Sequence, residues 1–244
     1  MLPSESNQVT ESKPAETDWR ALYKLGAITA LILIVLPPAE IIVSLLPGAE
    51  RALASTVTVV DWFSLFHDNW FLGLRSLGLL NLVGAALLVP TILAVYSALS
   101  RSNEAFGALG AILFFMGIAV YIASSRAFPM LSLSRQYAAA TTDAQRSLLT
   151  AARQALLTEG QSRSGVLLIE FACLLISTVM LRGRVFSKAT ACAGMLGNAL
   201  LMVVELAFIP LSSSPAIVVA ACGGLSIMTW YLLVARRLFR LASA

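Results

Sequence analysis

The chain has 244 residues, of which 58% are apolar and only 12% charged, with a net charge of +4 and a mean hydropathy of +0.83. A soluble domain carries roughly 45–50% apolar and about 25% charged residues, so too little polar surface remains here to coat a fold in water. The composition excludes a soluble enzyme and any separate soluble catalytic domain, and it implies an all-α, polytopic membrane helical bundle.

Residues 1–20 are rich in Ser, Glu, Thr and Pro. They cannot bury enough apolar surface to fold and are expected to be a disordered cytoplasmic tail. The first long apolar run starts only after Arg20 and Lys24. It outlasts the short core of a secretory signal, so it is expected to remain as a transmembrane helix. A span takes about 20 apolar residues, and the membrane domain, residues 21–240, fits six: 21–46, 77–99, 105–125, 165–181, 189–210 and 216–235. Pro37, Pro38 and Pro90 are expected to kink spans one and two, because each removes a backbone donor. Links at 100–104 and 212–214 are short enough to force antiparallel neighbours.

Two longer connections, residues 47–75 and 126–163, are expected on the outer side with short surface helices. In the first, Trp62, Phe66 and Trp70 recur at helical spacing, with Asp61 as a cap. In the second, Thr142 to Gln145 reads as a capping box and Gly160 as a stop. Between these, Leu148, Leu149, Ala152 and Leu156 form an apolar stripe, while Arg146 and Arg153 share another face. The 17 Lys and Arg residues divide ten to seven between the two sides, with RGRVFSK and RRLFR tight against span ends. This bias places both termini in the cytoplasm. Trp19, Tyr23, Trp230 and Tyr231 read as one interfacial belt, and Trp62, Trp70 and Tyr121 as the other.

Ionisable groups inside a span cost roughly 2.5–3.5 kcal/mol at mid-membrane and therefore mark function. Glu40, Glu170 and Glu205 each lie five or six residues from the outer end of a span, roughly 8–9 Å deep at about 1.5 Å per residue. Asn81 falls at the same depth. On span five, Gly194, Asn198 and Glu205 share a stripe, and on span two so do Gly78, Asn81 and Ala85; small residues mark close helix approach, which turns these polar groups inward. Ala193 with Gly197 and Ala220 with Gly224 are further packing pairs. The candidate ligand-binding set is thus Glu40, Asn81, Glu170, Asn198 and Glu205, with Arg75 and Arg126 as possible charge partners. No catalytic residue, metal site or cofactor is indicated. His67, the single histidine, sits beside Asp68 in the first outer loop. There is no HExxH, GxSxG, GxGxxG or P-loop. Cys173, Cys192 and Cys222 have no metal-ligand spacing and read as small buried residues.

The stretches MLSLSRQYAAATTDAQRSLLTAARQALL (130–157) and VMLRGRVFSKATACAGMLGNAL (179–200) are distinctive. In this order, within these spans, residues 75–235 resemble a family of bacterial multi-span membrane proteins catalogued only as a domain of unknown function. The resemblance implies a small bundle of about six spans in the bacterial inner membrane and carries no activity with it. The expected partners are the lipid bilayer and a small cation or polar ligand, with no nucleic acid, since the basic residues sit at span ends. Three readings of function stand: a non-enzymatic ligand-binding or envelope-sensing bundle, a small proton- or cation-coupled transporter, and an intramembrane enzyme acting on lipid.

Overall fold

A computed structural model describes residues 16–44, 63, 66–67, 69–100, 103–158, 163–207 and 214–243, and these form helices without any strand. In chain order the helices are α1 (Glu16–Ser44), α2 (Trp70–Ser76), α3 (Leu79–Leu99), α4 (Glu104–Ala123), α5 (Ala127–Ala139), α6 (Asp143–Thr158), α7 (Arg163–Arg182), α8 (Lys188–Leu206) and α9 (Ser214–Ser243). Six of them, α1, α3, α4, α7, α8 and α9, are long and apolar enough to cross a bilayer. A chain this apolar must satisfy its own backbone in lipid, and helices do so within each segment. The molecule is a multi-pass membrane protein.

Each span packs on its neighbour in sequence and α1 closes onto α9, so the six form a ring. The α3–α4 interface is the sparsest in that ring. Six antiparallel crossings bring Glu16 and Ser243 to one end of the bundle, here called proximal; α2, α5 and α6 lie at the distal end.

Lipid tails are as apolar as leucine, so close contact between small residues holds such a ring together. A Cβ placed on Gly165 of α7 would lie 2.9 Å from the Tyr121 nitrogen of α4, and one on Gly117 would lie 2.9 Å from the Ile169 nitrogen. The α4 and α7 backbones therefore touch. Between α1 and α3 the close point is Gly26 against Ala94, whose Cβ would be 2.5 Å away. Beside it the hydroxyls of Thr29 and Thr91 share a buried hydrogen bond of 2.8 Å. Replacing both threonines by the near-isosteric valine is expected to cost about 0.6 kcal/mol, the average for interhelical hydrogen bonds in lipid. Unfolding in mixed micelles by SDS titration measures it, and a double-mutant cycle isolates the pair.

Several boundaries differ from the sequence reading. Helix α1 already begins at Glu16, and α9 runs on to Ser243. Helix α3 starts at Leu79 because Gly78, at φ 90°, turns the chain in the left-handed region that glycine tolerates. Gly78 is therefore a cap and not part of an inward stripe. Helix α5 was not expected at all: Ser124–Arg126 interrupts α4, and the Ser125 hydroxyl accepts a 3.4 Å hydrogen bond from the Ala127 N–H. The Gly197 pairing does mark a contact, its Cβ position lying 2.7 Å from Ile227 of α9. Gly224 does not pack, since nothing lies within 4 Å of its Cβ position; Gly223 is the glycine facing α8.

The distal helices also need correction. Asn69 caps α2 by accepting from the Leu72 N–H at 3.0 Å; Asp61 and Trp62 lie outside the described residues, as does Gly160. Phe66 is buried while Trp70 is exposed, so they do not share a face. The capping box of α6 forms: Thr142 Oγ1 accepts from Gln145 N–H at 3.3 Å, and Gln145 Oε1 from Thr142 N–H at 3.4 Å. The buried face of α6, however, centres on Arg153, which is fully buried, whereas Leu148 is 71% exposed. Arg153 lies 4.4 Å over the Phe63 ring, which stacks at 4.2 Å on Tyr137 of α5. A guanidinium packs flat on an aromatic face, so an arginine takes a position that a polarity pattern assigns to solvent.

The belts fail for three residues. Trp230 is buried in the bundle, and Tyr231 and Tyr121 line its interior. A span aromatic can fill the space that a facing glycine leaves, here Gly194 opposite Trp230. Of the cysteines only Cys173 is buried; Cys192 and Cys222 lie on outward helix faces.

Candidate functional site

The ring encloses a cavity of about 430 Å³ in its distal half, and all six spans contribute to the wall. Its lining follows helical periodicity. Helix α1 offers Leu33, Leu36, Pro37 and Glu40; α7 offers Val166, Ile169, Glu170 and Cys173; α9 offers Gly224, Ile227, Met228 and Tyr231. Each set has the spacing i, i+3, i+4, i+7, which is one helical face. Asn81 and Asn198 come from α3 and α8, Tyr121 from α4, and Trp230 forms part of the deeper wall.

Four of the five residues expected to gather do meet this wall: Glu40, Asn81, Glu170 and Asn198. Glu205 does not. Its carboxylate faces Arg163 at 4.0 Å near the start of α7. Asn198 is buried and donates from Nδ2 to the Gly194 carbonyl at 2.7 Å, a bond within its own helix. Glu170 is 7% exposed, and its Oε2 is buried without a hydrogen-bond partner. An unmade hydrogen bond of that kind costs about 1–3 kcal/mol, and more for a charged group.

Of the two expected charge partners, Arg75 takes another role. Arg75 of α2 is buried and donates from Nη2 to the Glu40 backbone carbonyl at 2.7 Å, not to a carboxylate. It thus ties the distal cap to the end of α1. Arg126 is the residue before α5 and is half-buried. His67 is exposed. Among the described residues no group of three or more His, Cys, Asp or Glu is placed to hold a metal ion.

The aromatic wall was not foreseen. Trp230 and Tyr231 pack edge to face at 5.4 Å. The face shared by residues 166, 169, 170 and 173 was legible, but the meeting of Ser177 of α7 and Trp230 of α9 at Gly194 carries no mark in the sequence beyond the glycine itself.

Residues 68–235 match the family described as a domain of unknown function, DUF4386. The chain belongs to the DUF4386 family. The match takes in α3, α4, α7, α8 and α9 as far as Ala235, and with them Asn81, Glu170, Asn198 and the aromatic wall. Helix α1, with Glu40, lies outside it. No curated protein and no solved structure matches this DUF4386 chain significantly.

Proposed function

We propose that this DUF4386 bundle is a non-enzymatic membrane protein that binds a small ligand in its distal cavity, as a receptor or envelope sensor. The observation that supports the reading is Glu170: a carboxyl oxygen, buried and without a partner, on the wall of a cavity whose volume lies within the roughly 300–1,000 Å³ common for ligand sites. A bound polar group would supply the missing hydrogen bond. Arg75 and Glu40 hold the cap against the cavity rim. We place the bundle in the inner membrane; the Lys and Arg distribution supports an orientation with both termini in the cytoplasm and the cavity facing outward.

A proton- or cation-coupled transporter is the second reading. It is favoured by the sparse α3–α4 interface, a seam at which the ring can open. The test is thermal unfolding of the purified protein in nanodiscs against a panel of small amphiphiles. A ligand at 100 times its Kd stabilises the fold by about 2.7 kcal/mol through mass action. Stabilisation that Gly224→Leu abolishes, with the ligand recovered unchanged and no flux into proteoliposomes, is the expected result. Flux lost in Glu170→Gln would favour the transporter, and an absence of stabilisation by any amphiphile would overturn the receptor reading.

A further inference from the structure

We propose that the ligand is an organic cation with an apolar body, a protonated amine or quaternary ammonium group held against Glu170. This rests on the reading of the cavity as a ligand site and specifies its chemistry. Two of the lining residues are acidic, Glu40 and Glu170, and among the described residues no Lys, Arg or His lines the wall. Arg75 donates to the backbone carbonyl of Glu40, and Arg163 faces Glu205. Glu170 is nine-tenths buried, with Oε2 unpartnered.

A hard metal ion fits poorly. Calcium takes six to eight oxygen ligands and magnesium a near-ideal octahedron, while the cavity offers two carboxylates and two amides among leucine, isoleucine and aromatic side chains. An organic ammonium needs only one counter-charge, and it gains from aromatic faces, with tryptophan the best of them. Trp230, Tyr231 and Tyr121 line the same cavity. The remaining wall accepts an alkyl chain or ring. The surroundings thus match a cation that brings its own apolar cover into a site with one unsatisfied acid.

The experiment compares three probes that share a straight eight-carbon chain and differ in charge: n-octyltrimethylammonium, n-octanol and n-octanoate. Binding to the full chain in phosphatidylcholine nanodiscs is measured by titration calorimetry, with empty nanodiscs subtracted to remove partitioning into lipid. The cation is expected to bind about ten- to a hundredfold more tightly than the alcohol, the worth of one charge-assisted contact, and the carboxylate not at all. Glu170→Gln, which keeps the side-chain shape, is expected to bring the cation down to the level of the alcohol. Gly224→Leu, which enters space where no atom lies within 4 Å of the new Cβ, is expected to block every probe. If the alcohol binds as tightly as the cation and Gly224→Leu blocks both, the ligand cavity stands and the cation assignment falls. If no probe differs from empty nanodiscs, both fall. Should Glu170→Gln not yield folded protein, the comparison of the three probes on the unaltered chain decides.

Discussion

Replacing Gly165 by valine is expected to abolish the folded bundle. The reason lies in what a side chain would meet: the Tyr121 nitrogen at 2.9 Å and Cα at 3.1 Å, then the Gly117 carbonyl at 3.3 Å. These are backbone atoms of another helix, and no rotamer change moves them aside. Either α4 and α7 separate along their length or one of them unwinds. The loss extends beyond the contact itself. Gly110 and Gly117 sit seven residues apart on α4 and receive Ile176 and Ile169 of α7, so one displaced helix empties a run of contacts. Overpacking of a dense core typically costs 1–3 kcal/mol and sometimes more, and a clash against backbone belongs at or above the top of that range. Glu170 is one turn away on α7 and would move with it. Size-exclusion profiles of detergent-solubilised protein and SDS-titration unfolding measure the effect. Gly224→Ala is the control: with open space at its Cβ position, it should behave like the unaltered chain.

Truncating Trp230 to alanine is expected to cost about 3 kcal/mol. Large aromatic truncations in cores cost roughly 3–5 kcal/mol. The lower end applies because the unfolded reference in a membrane is lipid and not water, so lost packing is paid without the full hydrophobic transfer. Trp230 is 2% exposed. It fills the hollow above Gly194, whose Cβ position lies 2.6 Å from its Cδ1. Its Nε1 makes no hydrogen bond, so removing the ring strands no partner. Trp230→Phe keeps most of the packing and should lose much less. Since Trp230 also lines the cavity, the alanine variant joins its vacated space to the site and is expected to admit bulkier amphiphiles than the unaltered protein does. Unfolding in mixed micelles gives the stability cost, and binding of amphiphiles of graded width gives the change in size selection.

Much of this molecule is written in its composition. A stretch such as 105–125 has few polar groups and one chemically reasonable fate in lipid, so α4 was legible, and the remaining spans followed in the same way. Short links then set antiparallel neighbours, while the closure of α1 onto α9 that makes a ring was not legible from them. Helix ends were less legible because caps depend on single local contacts. Gly78 ends the run before α3 by its backbone angle, and Asn69, not Asp61, caps α2. The surface helix α6 was found from its capping box, and Leu149 and Leu156 of its expected stripe are half-buried, but Leu148 and Ala152 are exposed and the buried centre is Arg153, because an arginine on an aromatic ring looks polar to any periodicity argument.

The candidate site divides along the same line. Depth along a helix is simple arithmetic, so Glu40, Asn81 and Glu170 could be placed near one level from the sequence. Direction around the ring also needs the partner helices. Glu205 shares the Asn198 stripe but sits near the end of α8, where Arg163 at the start of α7 reaches it. Tyr121 and Tyr231 were read as interfacial from residue type alone, whereas packing turns them inward to the cavity.

A cavity open to small molecules makes Cys173 reactive, and the chain provides this probe itself. Cys173 lines the cavity, while Cys192 and Cys222 face outward and can be replaced by alanine. In that background, folded protein in nanodiscs is treated with N-ethylmaleimide and the adduct at Cys173 is followed by mass spectrometry, with and without Gly224→Leu. Labelling of Cys173 that slows sharply when leucine fills the cavity is the predicted result. A Cys173 that stays unmodified until the protein is denatured, or that reacts at the same rate with leucine in place, would contradict the existence of an accessible site within the ring.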